Sequence, residues 1–212
     1  MHSILVEAHP LLDAACLTAS FPLPLMQVTA SEALATALDS ESCRLVSIEE
    51  STRKAVRDLL RQGGYKPTGR GKPSSEYLVG VAAESAMPRI NPAVDAGNAV
   101  SLRTGLPVSV VDLDRVKGTC RLGLAAEGAS YVFNASGQAI DLGGLLCLHD
   151  EEGPCANAVK DAQRTKTNGE TCHVLVVIWG TRALPGQTQA AAASVQALLE
   201  SCGATVTPVA TA

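Results

Sequence analysis

The sequence predicts an α/β fold in which helices cover a mixed β-sheet. Helical and extended segments alternate along the chain, which argues against an all-helical or all-strand architecture. Apolar residues make up 46% of the 212 residues but aromatic residues only 3%, so we expect a core of Ala, Val and Leu between closely packed elements. Residues 174–179, VLVVIW, form the most apolar run, a composition typical of a strand buried on both faces. A chain of this length can bury such a core in one domain.

The first third of the chain alternates between short apolar runs and segments of helical composition. We expect strands at residues 3–6, 23–28 and 43–48, and helices at residues 11–18, 31–38 and 51–62. Pro24 places the second strand at a sheet edge, because proline has no N–H to donate. The helix at 51–62 has the clearest pattern, with Val56, Leu59 and Leu60 facing inward and Gly63 and Gly64 ending it.

Residues 88–121 contain the clearest helix and turn signals. Asn91 and Pro92 suit a helix start, because the Asn side chain can accept hydrogen bonds from free N–H groups and Pro fits the first helical position. Gly105 suits its end, since glycine readily adopts the positive φ of a C-terminal cap. Residues 106–111 are rich in β-branched side chains and lead into a turn. We therefore expect the helix to fold back on the strand that follows it.

The remainder of the chain contains short strands, one long strand and one helix. Turns rich in Gly, Asn and acidic residues separate the short runs. We expect short strands at residues 119–125, 130–134, 145–149 and 156–159, a central strand at 174–179, a covering helix at 186–202 and an edge strand at 205–209.

The composition argues against several classes of protein. The net charge of −4 means that any nucleic-acid binding must be local. Seven scattered cysteines without a C-x-x-C pair argue against a disulfide framework and a zinc site. The N-terminus lacks the pattern of a signal peptide, and no apolar run is long enough to span a membrane. We therefore expect a cytoplasmic protein with no metal and no other cofactor.

One segment is strongly basic despite the negative net charge. Residues 51–72 contain seven bases and a single acid, Asp58. Two interpretations stay open: a solvated helix face followed by a mobile Gly-rich loop, or a patch that contacts the phosphates of RNA. In the second interpretation the RNA-binding residues are Arg53, Lys54, Arg57, Arg61, Lys66, Arg70 and Lys72.

Residues 90–118 carry an ordered set of matches to one protein family. The matching residues are Ile90, Asn91, Val94, Asp95, Asn98, Val100, Gly105, Pro107, Asp112, Leu113, Asp114 and Gly118. Their order and spacing resemble the B3/B4 domain of the phenylalanyl-tRNA synthetase β subunit, and the resemblance extends over residues 66–179. It implies a three-layer arrangement in one domain spanning residues 1–212, with residues 1–50 as an N-terminal α/β extension.

The resemblance also implies a pocket for the aminoacyl end of a tRNA. In the synthetase domain a Thr-Asn pair, a His and a Glu line the pocket in which mischarged tyrosine is hydrolysed. In this chain Asn98 matches the Asn, but Gly97 replaces the Thr, Ser109 replaces the His and Lys166 lies nearest to the Glu position. A cation cannot replace a carboxylate that accepts a tyrosine hydroxyl, so we do not expect recognition of a tyrosyl group.

Residues 160–167 instead resemble a D-S-x-x-T-K element of free-standing B3/B4 proteins, matched by Asp161, Thr165 and Lys166. Arg164 and Lys166 would hold an anionic group such as a phosphate or a carboxylate. The alternative is that Asp161 and Arg164 simply pair with each other. The implied substrate-binding residues are Asn98, Ser109, Asp161, Arg164, Thr165 and Lys166.

Two functional hypotheses follow, beside a third possibility that the pocket has decayed and the protein is an interaction scaffold. The first is binding of the acceptor end of a tRNA, with hydrolysis in trans of a mischarged aminoacyl ester, for which a positioned water and a stabilised oxyanion suffice. The sequence contains no Ser-His-Asp elbow, P-loop or dinucleotide fingerprint, so no catalytic residue is assigned and aminoacylation is not expected. The second is a non-catalytic module that binds RNA or a small amino-acid-like ligand, which Ser109 in the His position favours slightly.

Overall fold

The computed structural model describes residues 3–211. Within them the strands are β1 (Ser3–Val6), β2 (Leu12–Ser20), β3 (Val108–Asp112), β4 (Arg121–Leu124), β5 (Ser130–Val132), β6 (Ala139–Asp141), β7 (Leu146–Asp150), β8 (Gly153–Asn157), β9 (His173–Thr181) and β10 (Thr205–Thr211). The helices are α1 (Glu32–Ala37), α2 (Ser40–Arg44), α3 (Glu50–Arg61), α4 (Ser74–Glu84), α5 (Pro92–Thr104) and α6 (Gln187–Ser201). Short 3-10 turns lie at Leu25–Gln27, Gly69–Gly71 and Gln163–Thr165.

Eight of these strands form one mixed sheet in the order β3-β9-β2-β10-β1-β4-β7-β8, and β5 pairs with β6 in a separate hairpin. β1 runs parallel to β10 and to β4, whereas the other neighbours in the sheet are antiparallel. The predicted α/β class with a mixed sheet is therefore confirmed. Among residues 3–211 no helix is long and apolar enough to cross a membrane.

The sheet curls, so that strands at opposite ends of its order approach each other. The hydroxyl oxygen of Ser109 on β3 lies 3.2 Å from the carbonyl oxygen of Asn157 at the end of β8. The backbones of Val111 and Lys166 form an additional, isolated antiparallel β-bridge. The half of the sheet made by β1, β4, β7 and β8 therefore packs over one face of the half that contains β3, β9 and β2.

Two apolar clusters lie on opposite faces of the same strands. On β9, Val176 and Ile178 belong to the cluster shared with α1, α5 and α6, whereas Val177 and Trp179 belong to the cluster shared with β4 and β7. Alternation along a strand sends successive side chains to opposite faces, so one strand serves both clusters. The result is three layers: helices, one half of the sheet, and the other half.

Most of the predicted helices are present, but three segments in the first 50 residues differ from expectation. Residues 11–18 form most of strand β2 rather than a helix, because Cys16 is buried on one face and Leu17 on the other. An apolar run that is buried on both faces cannot be told from a buried helix by periodicity. Residues 23–28 form a 3-10 turn in which only Leu25 is buried, not a strand. Residues 43 and 44 form the end of helix α2, whose start Asp39 caps, and residues 45–48 have no regular structure, so this segment is not a strand.

The last predicted strand is longer than expected and lies inside the sheet. Residues 205–209 pair with β2 alone, as an edge strand would, and Pro208 is accommodated there. The strand continues to Thr211, and Ala210 and Thr211 pair with β1. β10 therefore joins the two halves of the sheet.

Helix α5 has the start and end that its sequence predicts. The Asn91 carboxamide oxygen accepts a hydrogen bond from the backbone N–H of Val94 at 3.0 Å, and Gly105 has φ = 75°. Between these caps the helix lies very close to β3, since a Cβ placed on Gly97 would be 2.9 Å from Val110 Cγ2 and 3.3 Å from Val108 Cγ1. This close packing positions the residues described next.

Candidate functional site

A cleft of about 270 Å³ lies between α5, β3 and the segment that follows β8. One part of its wall is aliphatic and the other is polar. The aliphatic part consists of Ile90, Val94, Val108, Val110 and Val159. The polar part consists of Ser74, Asn98, Asn157, Lys160, Asp161, Lys166 and Thr167.

Asn98 projects from α5 into this cleft and is half-buried. Its carboxamide makes no hydrogen bond to any residue that the structure describes. A half-buried amide without an internal partner retains two donors and an acceptor for a ligand or for water.

Asp161 lines the cleft from the opposite side. Its Oδ1 accepts hydrogen bonds from the Ser109 hydroxyl at 2.7 Å and from the Asn157 backbone N–H at 3.2 Å. The Ser109 hydroxyl in turn accepts a hydrogen bond from the indole N–H of Trp179 at 2.8 Å, so a buried chain of three side chains fixes the carboxyl group. Burial raises the pKa of Asp161 to about 6, although these donors and the charge of Lys166 act in the opposite direction.

Two lysines stand beside the cleft and contact the same residue, Phe133. Lys160 Nζ lies 4.2 Å from the centroid of the Phe133 ring, and Lys166 Nζ donates to the Phe133 carbonyl. Burial, together with the charge of Arg70, lowers the pKa of Lys160. Each ammonium group has further donors, so both lysines can also bind a ligand.

Hydrogen bonds hold the segment that carries these residues. The Asn157 carboxamide oxygen accepts from the N–H groups of Val159 and Lys160, and the Tyr131 hydroxyl donates to the Lys160 carbonyl. Further along, the Asn91 amide donates to the Thr167 hydroxyl at 3.1 Å. The polar wall is therefore anchored at both of its ends.

Next to the cleft lies a larger depression, which we call the basic groove. Two adjoining cavities of about 980 and 600 Å³ form it. Its bases are Lys66, Arg70, Lys72, Lys160 and Lys166, and its aromatic residues are Tyr65, Tyr77 and Phe133. Asp141 is the one acid among the lining residues. Lys160 and Lys166 line both the cleft and the basic groove.

Residues 65–193 match the family described as the B3/4 domain. The chain belongs to this family. A solved structure similar to this B3/4 protein is an N-terminal fragment of the phenylalanyl-tRNA synthetase beta-subunit from Pyrococcus horikoshii, with a TM-score of 0.55 and 9% sequence identity. The match covers 99% of this chain and 51% of that chain, so the B3/4 protein spans about half the length of the fragment. No curated protein sequence matches it.

The B3/4 fold brings together only part of the predicted substrate-binding set. Asn98, Asp161 and Lys166 line the cleft. Ser109 is buried behind it and contacts Asp161 rather than the cavity. Thr165 is fully buried, and its hydroxyl donates to the Cys155 carbonyl at 2.9 Å. Neither residue is placed to touch a ligand.

Arg164 lies outside the cleft, and its predicted role is corrected. Its guanidinium forms two hydrogen bonds with the buried Asp150 carboxylate, at 2.6 and 2.8 Å, and a third to the Gly153 carbonyl. Burial acts to raise the pKa of Asp150, but the Arg164 hydrogen bonds and backbone donors outweigh it and lower the pKa. Arg164 therefore compensates a buried charge, and the alternative pairing with Asp161 is also wrong.

The seven predicted RNA-binding bases separate into two groups. On α3, Arg53 pairs with Glu50, Lys54 and Arg61 pair with Asp58, and Arg57 forms a two-point bridge to Glu76 on α4. The count of one acid among seven bases omitted Glu50 and Glu76, which lie just outside residues 51–72. Lys66, Arg70 and Lys72 line the basic groove and make no ion pair with a described residue.

Sequence reasoning missed Lys160, Tyr77 and Phe133. The scarcity of aromatic residues was an available signal. The chain has only three Tyr, two Phe and one Trp, so an aromatic residue near a cluster of bases, such as Tyr77, is a candidate for a binding surface. Cys147 offers no nucleophile, since burial raises the pKa of its thiol to about 12. Across residues 3–211 no cluster of three His, Cys, Asp or Glu side chains suits a metal ion.

Proposed function

We propose that this protein binds the aminoacylated 3′ end of a tRNA. The aminoacyl group occupies the cleft, and the last nucleotides lie in the basic groove. The observation that supports this is that the cleft and the basic groove adjoin each other and share Lys160 and Lys166 as lining residues. A ligand that spans them needs a small polar end and a polyanionic body, and an aminoacyl-tRNA terminus has both.

Local charge supports RNA as the occupant of the basic groove. Five bases and one acid line it, although the whole chain carries a net charge of −4. Lys66, Arg70 and Lys72 make no ion pair with a described residue, so they are free to neutralise phosphates, which releases counterions and drives binding at low salt. We place the protein in the cytoplasm, where such a substrate is present.

We further propose that the cleft hydrolyses the ester. Asp161 accepts a proton from a water molecule whose oxygen attacks the ester carbonyl carbon. The negative charge that develops on the carbonyl oxygen is stabilised by the Lys166 ammonium and the Asn98 amide. The bond from the carbonyl carbon to the ribose oxygen then breaks, and that oxygen takes the proton from Asp161, which leaves the free amino acid and a tRNA hydroxyl. A carboxylate with a pKa of about 6 is ionised at neutral pH and is more basic than an exposed one.

A second candidate function is binding of a free amino-acid-like ligand. The cleft volume of about 270 Å³ supports it, because a single small molecule fills such a space without the basic groove. An ammonium group would face Asp161, and a carboxylate would face Lys166.

The binding proposal is tested by the salt dependence of tRNA affinity. We expect Arg70→Ala and Lys72→Ala each to weaken binding of different tRNAs alike and to reduce the salt slope by up to ~1 unit per lost phosphate contact. Lys54→Ala and Arg61→Ala are the matched controls, since these bases pair with Asp58 away from the groove. No binding of tRNA at low salt, combined with thermal stabilisation by a free amino acid, would favour the second candidate.

The hydrolysis proposal is tested by ester loss from a panel of aminoacyl-tRNAs. We expect one or more of these aminoacyl-tRNAs to be deacylated, at a rate that falls below about pH 6 as Asp161 is protonated. We expect Asp161→Asn to slow the reaction by about 100-fold or more while tRNA binding persists. Ser109→Ala should move the midpoint of the pH–rate curve to higher pH. The hydrogen bond that this variant lacks lowers the pKa of Asp161 in the wild type. Unchanged hydrolysis by Asp161→Asn would show that another group takes the proton.

A further inference from the structure

The basic groove contains a disproportionate share of the aromatic residues of the chain. The sequence has three Tyr, two Phe and one Trp, and three of these, Tyr65, Tyr77 and Phe133, line the groove. The three come from different parts of the fold: the loop after α3, helix α4 and the loop after β5. The contacts of each ring show whether it supports the fold or is available to a ligand.

Tyr65 has a structural role. It is half-buried, and its hydroxyl donates to the Gly71 carbonyl at 3.2 Å. A Cβ on Gly71 would lie 2.5 Å from the Tyr65 oxygen, so the side chain packs directly on the turn Gly69–Gly71. Tyr65 thereby positions the loop that carries Lys66, Arg70 and Lys72.

Tyr77 has no comparable internal contact. It is 62% exposed on α4, and its hydroxyl makes no hydrogen bond to a described residue. Its ring lies along the basic groove near Arg70 and Lys160, which line the same two cavities. An exposed aromatic ring in a groove lined by bases offers a flat apolar surface where phosphates would be neutralised.

Phe133 lies where the basic groove meets the cleft. Lys160 covers its ring at 4.2 Å, and Lys166 binds its carbonyl. These two lysines also line the cleft, so Phe133 contacts the two bases that the cleft and the basic groove share. The cation–π contact and the lysine hydrogen bond restrain the ring in this position.

We propose that Tyr77 and Phe133 are stacking surfaces for unpaired bases at the 3′ end of the RNA, while Arg70, Lys72 and Lys66 bind the adjoining phosphates. This inference rests on the proposed function and specifies how the same groove holds its ligand. Stacking on an aromatic ring tolerates every base, whereas a duplex keeps its bases inside the helix and offers no free face. The groove should therefore select a single-stranded end over a double-stranded stem and show little base preference.

The test compares RNAs and variants in direct binding measurements at several salt concentrations. The RNAs are an intact tRNA, the same tRNA without its unpaired 3′ nucleotides, and short single strands of different base composition. We expect Tyr77→Ala to weaken binding of the intact tRNA and the single strands by about 5- to 150-fold, a typical range for one lost base stack, without changing the salt slope. Tyr77→Trp should retain binding, because the indole ring also stacks. Leu45→Ala, at an apolar residue that is 83% exposed away from the groove, is the control.

Phe133→Leu provides a second, independent variant that keeps apolar volume but removes the aromatic face. We expect a loss of similar size, with thermal melting used to show that the protein remains folded. Wild-type affinity in both Tyr77→Ala and Phe133→Leu would overturn the stacking sites. If truncation of the 3′ end or Arg70→Ala still weakened binding in that case, the proposed function would stand without them. A wild-type protein that binds neither tRNA nor single strands at low salt would overturn both proposals.

Discussion

At the scale of single residues, Ser109 acts on the cleft only through Asp161. Its hydroxyl connects Trp179 to the carboxyl group, and it has no exposed surface from which to touch a ligand. The side chain therefore has two effects: it restrains the orientation of Asp161 and lowers the pKa that burial raises. Replacement of either Ser109 or Trp179 would disturb the same carboxyl group.

The raised pKa of Asp161 predicts a pH-dependent cost to stability. In the unfolded chain this carboxyl ionises near pH 4, but in the folded protein near pH 6. Between these values the folded state binds more protons, so the free energy of unfolding falls as pH rises through this window, and the cost remains at higher pH. Asp161→Asn cannot ionise and avoids this cost. If solvent screening reduces the cost to ~1 kcal/mol, we expect this variant to melt about 2–4 °C above the wild type at pH 8.

Melting curves of both proteins from pH 4 to pH 8 check this prediction. The difference should shrink towards pH 4, where Asp161 is protonated in the folded state and about half protonated in the unfolded chain, and should reach its full size above about pH 6. A constant difference at all pH values would mean that Asn changes packing rather than charge. Greater stability with lower activity is the usual consequence of removing a buried functional charge.

The residues of the site show what a sequence can and cannot predict at this scale. The resemblance placed Asn98, Asp161 and Lys166 in one pocket, and the three side chains do line one cleft. It could not show that Arg164 turns toward Asp150, because Asp150 lies at the end of β7 and its burial depends on the whole fold. The aromatic residues were missed for a similar reason, since Tyr77 and Phe133 are far apart in sequence and meet only in the groove.

At the scale of elements, the packing of α5 on β3 controls the width of the cleft. Val108 and Val110 both line the cleft, and both have a methyl carbon within 3.3 Å of where a Cβ on Gly97 would lie. The helix can lie this near the strand only because residue 97 has no side chain. The absence of a Thr at this position therefore has a packing consequence in this chain.

This packing predicts opposite effects for two Gly→Ala substitutions in helices. At Gly97 the gain in helix propensity, about 1 kcal/mol, is outweighed by overpacking that typically costs 1–3 kcal/mol, so we expect a net loss of about 1 kcal/mol. At Gly80 on α4 no atom lies within 4 Å of an added Cβ, and we expect a gain of about 0.5–1 kcal/mol. Denaturant unfolding of both variants measures these changes. Stabilisation by Gly97→Ala would show that Val108 and Val110 move aside easily.

The accuracy of element prediction depended on how local the determining signal was. α5 was predicted from its caps, which act within a few residues of each end. β2 was misread as a helix, because only pairing with β9 and β10 makes the run Leu12–Ser20 extended. The strand at residues 205–209 was read correctly as far as Val209, but its contact with β1 could not be foreseen from its own sequence.

At the scale of the whole molecule, the net charge does not predict how charges are distributed over the surface. A net charge of −4 gives no indication of RNA binding, yet the fold collects five bases around one groove and pairs all four bases on α3 with acids. The composition correctly indicated an aliphatic core and an α/β class. The distribution of charge on the surface depends on contacts between distant segments, so no window of the sequence could reveal it.

The position of β10 has a consequence for the order in which the protein acquires its structure. Ser3 pairs with Ala210 and Ile4 with Thr211, so the join between the two halves of the sheet brings together residues from nearly opposite ends of the described chain. On the ribosome, β1, β2, β4, β7 and β9 are all synthesised before residues 205–211. Until then β1 and β2 each have an unpaired edge, and exposed strand edges are sites of aggregation. Completion of the sheet is therefore a late, long-range step, and the nascent chain is most vulnerable immediately before it.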